Sequence, residues 1–194
     1  MKIALMNEFS QAAKNPTVLE QLNTVANAQN HQVFNVGMDG DNDHRLTYIH
    51  LGIIASLLLN SKAVDFVVTG CGTGQGALMA SNAFPGVTCG YCIDPSDAYL
   101  FAQINNGNAL ALPYAKGFGW GAELNIRYIF EKAFTGEKCI LNQLKADVAK
   151  DYLSALEAID PELIKQAIGG PRFQECFFTH CQDDAIAAFV KARI

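Results

Sequence analysis

Val64-Asp65-Phe66-Val67-Val68-Thr69-Gly70-Cys71-Gly72-Thr73-Gly74-Gln75-Gly76 is the stretch on which the fold turns. Residues 64–69 form a short apolar run rich in valine, the pattern of a buried strand. Glycines alternate through 70–76, and a helical pattern then runs through Phe84 until Pro85-Gly86 ends it. Strand, glycine turn and helix make one βα unit, and the same alternation continues on both sides. Upstream, Ile3 to Met6 reads as a first strand, and Asn15-Pro16 opens a helix whose Val18, Leu19, Leu22 and Val25 share a face. Val33 to Val36 is a second strand, and after the polar loop 37–44 a helix runs from about Thr47 to Asn60. Downstream, residues 87–93 give strand four, Asp94-Pro95-Ser96 caps a helix, Ala109 to Leu112 gives strand five, and Gly121 to Phe134 a covering helix.

Five β/α repeats predict an α/β protein: a three-layer α/β/α sandwich around a five-stranded parallel sheet, Rossmann-like, with strands apolar throughout because helices cover both faces. Beyond Gly136 no strand pattern remains. The chain divides there into an α/β domain, residues 1–136, and a helical C-terminal extension, residues 137–194. Helical patterns span 141–159, restart at Asp160-Pro161, break at Gly169-Gly170-Pro171 before an aromatic segment, and end with a helix from Asp183. The extension has too few large apolar groups for a core of its own and is expected to pack on the same domain or on a partner subunit.

The chain has 194 residues, half of them hydrophobic, with a net charge of -5 and a mean hydropathy of +0.11. That composition excludes a disordered or fibrous chain. Without a Lys/Arg cluster, nucleic acid and anionic membranes are not expected partners. The longest apolar stretch, 51–59, falls well short of the ~20 residues a bilayer crossing needs, and the N-terminus lacks a signal-peptide pattern. A cytoplasmic location is expected. Six cysteines then read as reduced thiols. Cys89 and Cys92 imitate a metal or redox pair, but on a strand residues three apart point to opposite faces, so both are expected to be inert.

The glycine loop is the chemical feature. Glycines let the backbone approach a ligand closely, and unpaired amides at a helix N-terminus favour negative charge. One reading is a dinucleotide fingerprint, Gly72-x-Gly74-x-x-Ala77 with Asp94 near the ribose distance, although such fingerprints occupy the first βα turn. The other gives Cys71 a task. A thiol at a helix N-terminus is expected to be acidic enough to act as a base, while the surrounding amides stabilise an oxyanion formed on a carbonyl substrate.

With Ala80-Ser81-Asn82, Phe84-Pro85-Gly86-Val87, Asp94-Pro95 and the run Asn105 to Leu112, this loop resembles the sugar-phosphate isomerases RpiB/LacA/LacB, that is, ribose-5-phosphate isomerase B and the galactose-6-phosphate isomerase subunits. The likeness spans about residues 1 to 134 and returns at Gly169-Gly170. It implies an aldose–ketose isomerase that needs neither metal nor cofactor and works through a cis-enediolate. By resemblance, Cys71 is the base and Thr73 its assistant, while Glu8 keeps the family's acid. Gly72, Gly74, Gln75 and Gly76 hold the enediolate, and Asn7, Tyr48, Asn105 and Arg172 bind substrate. Family sites form between paired subunits, so a homodimer or homotetramer is implied. A non-catalytic subunit of an isomerase assembly is the further alternative.

Departures from the family pattern bear on the substrate. Phe9 and Ile104 stand where the family has histidines, the second of which helps to open a sugar ring, and no side chain at 104 can titrate. His50 is a candidate replacement, or simply a satisfied helix residue. After Gly169-Gly170 only Arg172 of the family's two phosphate-gripping arginines remains, and Glu175 adds repulsion. These losses point to an open-chain, non-phosphorylated acid of the uronate type. Of the remaining features, Trp120 in the glycine-rich loop 116–121 is expected to pack on the core, with a substrate lid as the alternative. Phe173, Phe177 and Phe178 are expected to bury the tail or fill an interface, and Asp39 to Asp43 to form a solvated turn.

Overall fold

The computed structural model describes residues 1–135 and 152–194. Five strands, β1 (Lys2–Asn7), β2 (Gln32–Asn35), β3 (Phe66–Cys71), β4 (Cys89–Tyr91) and β5 (Ala109–Pro113), pair in parallel in the order β2-β1-β3-β5-β4. Helices α1 (Asn15–Ala28), α2 (Tyr48–Asn60), α3 (Gln75–Asn82), α4 (Pro95–Leu100) and α5 (Ala122–Ala133) alternate with them. A 3-10 turn, Phe9–Lys14, precedes α1, and a π-helical turn, Phe101–Asn105, prolongs α4. This is the three-layer sandwich expected from the sequence.

Side-chain alternation sorts the layers. Ala4, Met6, Val67, Cys71, Ala109 and Ala111 face the layer of α2 and α3, whereas Ile3, Leu5, Phe66, Val68, Leu110 and Leu112 face that of α1, α4 and α5. Cys89 joins the first core and Cys92 the second, so the pair points to opposite faces as expected. After the α/β region come α6 (Tyr152–Glu157), α7 (Pro161–Ile168), α8 (Pro171–His180) and α9 (Asp184–Lys191). Tyr152, Leu156, Ile164, Phe173, Phe177 and Ile186 bury into the core that α2 and α3 already share with the sheet. The helical reading of 141–151 and the thiol of Cys139 lie outside the described residues.

Two expectations shift, and a third gains a second role. Strand β3 runs on through Gly70 and Cys71, which pair with Leu112 and Pro113 of β5, so the glycine loop shrinks to Gly72-Thr73-Gly74. The aromatic segment after Gly170 is helix α8: Pro171 starts it, and Phe173 and Phe177, one turn apart, stack with centroids 5.4 Å apart. Both are fully buried, while Phe178 is 38% exposed. Asp39 to Asp43 is the solvated turn expected, exposed at Asp39, Asp41 and Asn42, and it is a brace as well. Asp39 accepts hydrogen bonds from Asn15 and Asn35, and Asp43 forms the ion pair with Arg172. Among the described residues no helix is long and apolar enough to cross a membrane.

Candidate active site

Strand order locates the crevice. From β1 the chain moves outward to β2, whereas from β3 it moves the other way toward β4, so the direction reverses between β1 and β3. In open α/β sheets ligands bind at that reversal, beyond the carboxyl ends of the strands. Here those ends are Asn7, followed by Glu8, and Cys71, followed by the glycine loop.

Cys71 is the last residue of β3 and is 6% exposed. Its carbonyl accepts from the Tyr114 amide at 3.0 Å, and the Gly72 carbonyl accepts from the Ala115 amide at 2.9 Å, which ties the loop to the end of β5. Gly74 caps α3 with φ +75, and a Cβ there would meet the Tyr91 ring at 2.6 Å, so only glycine fits. The Tyr91 hydroxyl donates to the Thr73 carbonyl at 3.1 Å, and the Thr73 hydroxyl accepts from the Gln75 amide at 3.4 Å. The first amides of α3, from Gln75 and Gly76 onward, have no acceptor within the helix and border the crevice with a partial positive charge. Tyr48, 42% exposed, packs its ring on Gly76. Ser10 and Gln11 of the 3-10 turn approach Gly72.

Other expected site residues have definite places. Asn7 is fully buried, and neither end of its carboxamide has a hydrogen-bond partner. Glu8 is buried and caps the 3-10 turn, accepting from the Ser10 amide at 3.0 Å and from the Ser10 hydroxyl. Arg172 stands at the end of β2, two strands from Cys71: Nε donates to the Asn35 carbonyl at 2.9 Å, and a terminal nitrogen to the Gly37 carbonyl and Asp43. Burial works to raise the Asp43 carboxyl, but the Arg172 hydrogen bond and the Asp39 and His44 amides outweigh it and hold it below the usual carboxylate range. Asn105 ends the π turn ahead of β5, at the amino end of the sheet, and within one chain is not brought to Cys71.

His50 does not stand free as a catalytic acid. Its Nδ1 accepts from the Thr47 amide at 3.0 Å as half of a capping box on α2, and the ring is 2% exposed. Trp120 departs from expectation, being 107% exposed: Gly119 and Gly121 on either side of it have open space, and no neighbour comes near enough to bury the indole. Asp94 spends its carboxylate on the Ser96 and Asp97 amides that start α4. Sequence reasoning missed Tyr91 and Tyr114, because only the register of β4 and β5 against β3 brings them to the loop.

The sheet is that of an α/β protein with a thiol and a glycine-flanked helix N-terminus at its reversal point, where such folds bind small ligands. Comparisons narrow the class. A sequence profile described as Ribose/Galactose Isomerase matches residues 3–156, and one described as Ribose-5-phosphate isomerase matches residues 148–192. Ribose-5-phosphate isomerase B of Escherichia coli is 36% identical over 67 residues, covering 34% of this chain and 45% of that protein, less than half its length. The crystal structure of a ribose-5-phosphate isomerase from Vibrio parahaemolyticus is 63% identical with TM-score 0.95, covering 100% of this chain and 99% of that one. A 4-deoxy-L-threo-5-hexosulose-uronate ketol-isomerase, crystallised with a tartrate, is 49% identical with TM-score 0.93, covering 99% and 98%. The chain belongs to the ribose/galactose isomerase family, a family of sugar isomerases.

Proposed function

We propose that this isomerase moves a proton between adjacent carbons of an open-chain, non-phosphorylated uronate-type keto sugar, with Cys71 as the base. The position of Cys71 carries the reading: it closes β3 at the reversal point, directly before the loop and the α3 amides. The thiolate takes the proton from the carbon next to the carbonyl, and the electron pair moves onto the carbonyl oxygen to give an enediolate. Amides of Gly72 to Gly76 stabilise that charge. Return of the proton to the neighbouring carbon, with a hydroxyl proton passing between the oxygens, completes the exchange. Thr73, Gln75 and Tyr48 stand around the loop that follows Cys71, and Asn7, which alternation turns to the opposite face of the sheet, is not among the groups that touch substrate.

The acid substrate is supported by Phe9 and Ile104, which cannot open a ring, by the engagement of Arg172 with Asp43, and by the similarity to the uronate isomerase. A second copy of the chain completes the site in this reading. Asn105 and Cys71 lie at opposite ends of paired strands, separated by the length of β5, roughly 15 Å. A partner's Asn105 reaches the crevice instead. An apolar hollow between α2 and α3, lined by Tyr48, Ile49, Met79 and Phe84, runs up to Gly76 and offers the face for that partner. The free cysteines among the described residues fit a reducing, cytoplasmic setting.

Incubation with the open-chain uronate in deuterated water tests the chemistry. Solvent deuterium is expected at the carbon that exchanges its proton. Cys71→Ser is expected to lower kcat by about a thousandfold, since removing a base and nucleophile-strength thiolate typically costs 10²–10⁴, with an unchanged circular dichroism spectrum. Undiminished turnover in that variant removes Cys71 from the mechanism, and faster turnover of ribose 5-phosphate than of the uronate overturns the substrate assignment.

A further inference from the structure

Recognition of a carboxylate needs a cation that is not already spent. Around the crevice, Lys14 is engaged by the Gln11 side chain and the Tyr114 carbonyl, and its ammonium lies 4.7 Å from the Phe118 ring centroid. Arg172 is engaged by Asp43 and two carbonyls, in the one ion pair found among the described residues. Two rim cations are left without a carboxylate: Lys116, whose ammonium lies 3.4 Å from the Tyr91 hydroxyl, and Arg45.

Arg45 is the better built of the two. Its guanidinium carbon sits over the Phe9 ring, 3.9 Å from the centroid. Stacking of this kind uses the face of the guanidinium and leaves its N–H edge open for a planar anion. The Phe9 amide donates to the Leu46 carbonyl at 2.9 Å, so the residues on either side of the stack are fixed to each other by the backbone. Phe9 follows Glu8 at the end of β1, and Tyr48, three residues beyond Arg45, covers Gly76. Arg45 therefore stands on the rim between the two strand ends that frame the crevice, on the side of α2 toward which Cys71 faces. Lys116 approaches from β4 and β5, its ammonium 6.0 Å from the Tyr91 ring centroid, a looser contact of a point charge that offers no planar fork.

We propose that Arg45, oriented by Phe9, is the residue that receives the substrate carboxylate and sets the preference for an acid. This rests on the acid-substrate reading above. Phe9, which removes a titrating side chain from the end of β1, gains a positive role as the platform for that guanidinium.

Calorimetric titration of the full chain with tartrate, a small hydroxy diacid, tests the assignment without turnover. Arg45→Gln is expected to weaken tartrate at least tenfold, as loss of a charge-assisted bidentate pair does. Arg45→Lys recovers only part of that loss, Phe9→Leu weakens binding by a smaller factor, and Lys116→Gln stays within about twofold of wild type, as a rim charge without a fork should. In turnover, Arg45→Gln raises KM for the uronate by a similar factor, with kcat within about threefold, because uniform binding has been lost. A neutral ketose of the same length is unaffected. Wild-type protein that ignores tartrate, Arg45→Gln that binds it normally, Lys116→Gln that bears the loss instead, or an equal penalty on the neutral ketose each overturns the proposal. If wild type turns over a phosphorylated sugar and not the uronate, the substrate reading fails alone, and the tartrate titration still decides Arg45.

Discussion

Among single residues, His50 shows how burial converts a candidate acid into a structural group. Because Nδ1 accepts from the Thr47 amide, the ring hydrogen sits on Nε2, which is buried without a partner. Burial, helped by the nearby His44, lowers its pKa below the ordinary value. The unfolded chain takes up a proton near pH 6.5, whereas the folded chain resists until lower pH, so folding loses stability as pH falls below about 6.5. His50→Gln keeps a capping-box partner for Thr47 and cannot titrate. Its melting temperature is expected to fall less than that of wild type between about pH 7.5 and 5.5, and equal slopes in the two proteins contradict this account. The thiols illustrate the same force. Burial pushes Cys89 and Cys92 up to about 12 and Cys176 up to about 11, so all three stay protonated at neutral pH.

Elements are fixed by how their ends are handled. Helix α3 has no side-chain cap; Gly74 in the left-handed region turns the chain from β3 into it, with the Tyr91 ring packed where a side chain would go. Gly74→Ala combines left-handed strain of about 1–2 kcal/mol with overpacking of similar size. It is therefore expected to lower the melting temperature by several degrees and, in the proposed mechanism, where these amides hold the enediolate, to cut kcat more than tenfold. Gly40→Ala, which meets nothing within 4 Å, is the control. A Gly74→Ala protein with normal melting and normal turnover shows that the loop has room the structure denies it.

The whole molecule raises the question of where a site begins and ends. If Cys71 of one subunit works with Asn105 of another, mixed dimers of Cys71→Ser and Asn105→Ala chains hold one intact site and one doubly defective site. Each mixed dimer then restores about half of wild-type activity from two nearly inactive proteins, as an isologous pair requires. Co-expression with two affinity tags, followed by assay of the purified mixed species, measures this, and absence of rescue places the whole site within one chain. The C-terminal helices belong to the same scale. Phe173 and Phe177 are fully buried in a core shared with β1, β3 and α2, so these helices add to the layer over the sheet.

Period and punctuation carried most of the architecture. Apolar runs of strand length, glycine turns and Pro or Asp caps are local signals, and they placed every strand, helices α1 to α5 and the chemical loop, because parallel strands covered on both faces must be apolar. The family resemblance, and no local signal, exposed the departures at Phe9 and Ile104. Local signals could not show that Gly70 and Cys71 continue the ladder, since that depends on Leu112 and Pro113 alongside. Nor could they reveal helix α8, read only as an aromatic segment, or that Trp120 faces solvent, that Asp43 secures Arg172, or that Phe9 supports Arg45. Those facts rest on contacts between residues far apart in sequence, and such contacts exist only once the strand order has chosen the neighbours.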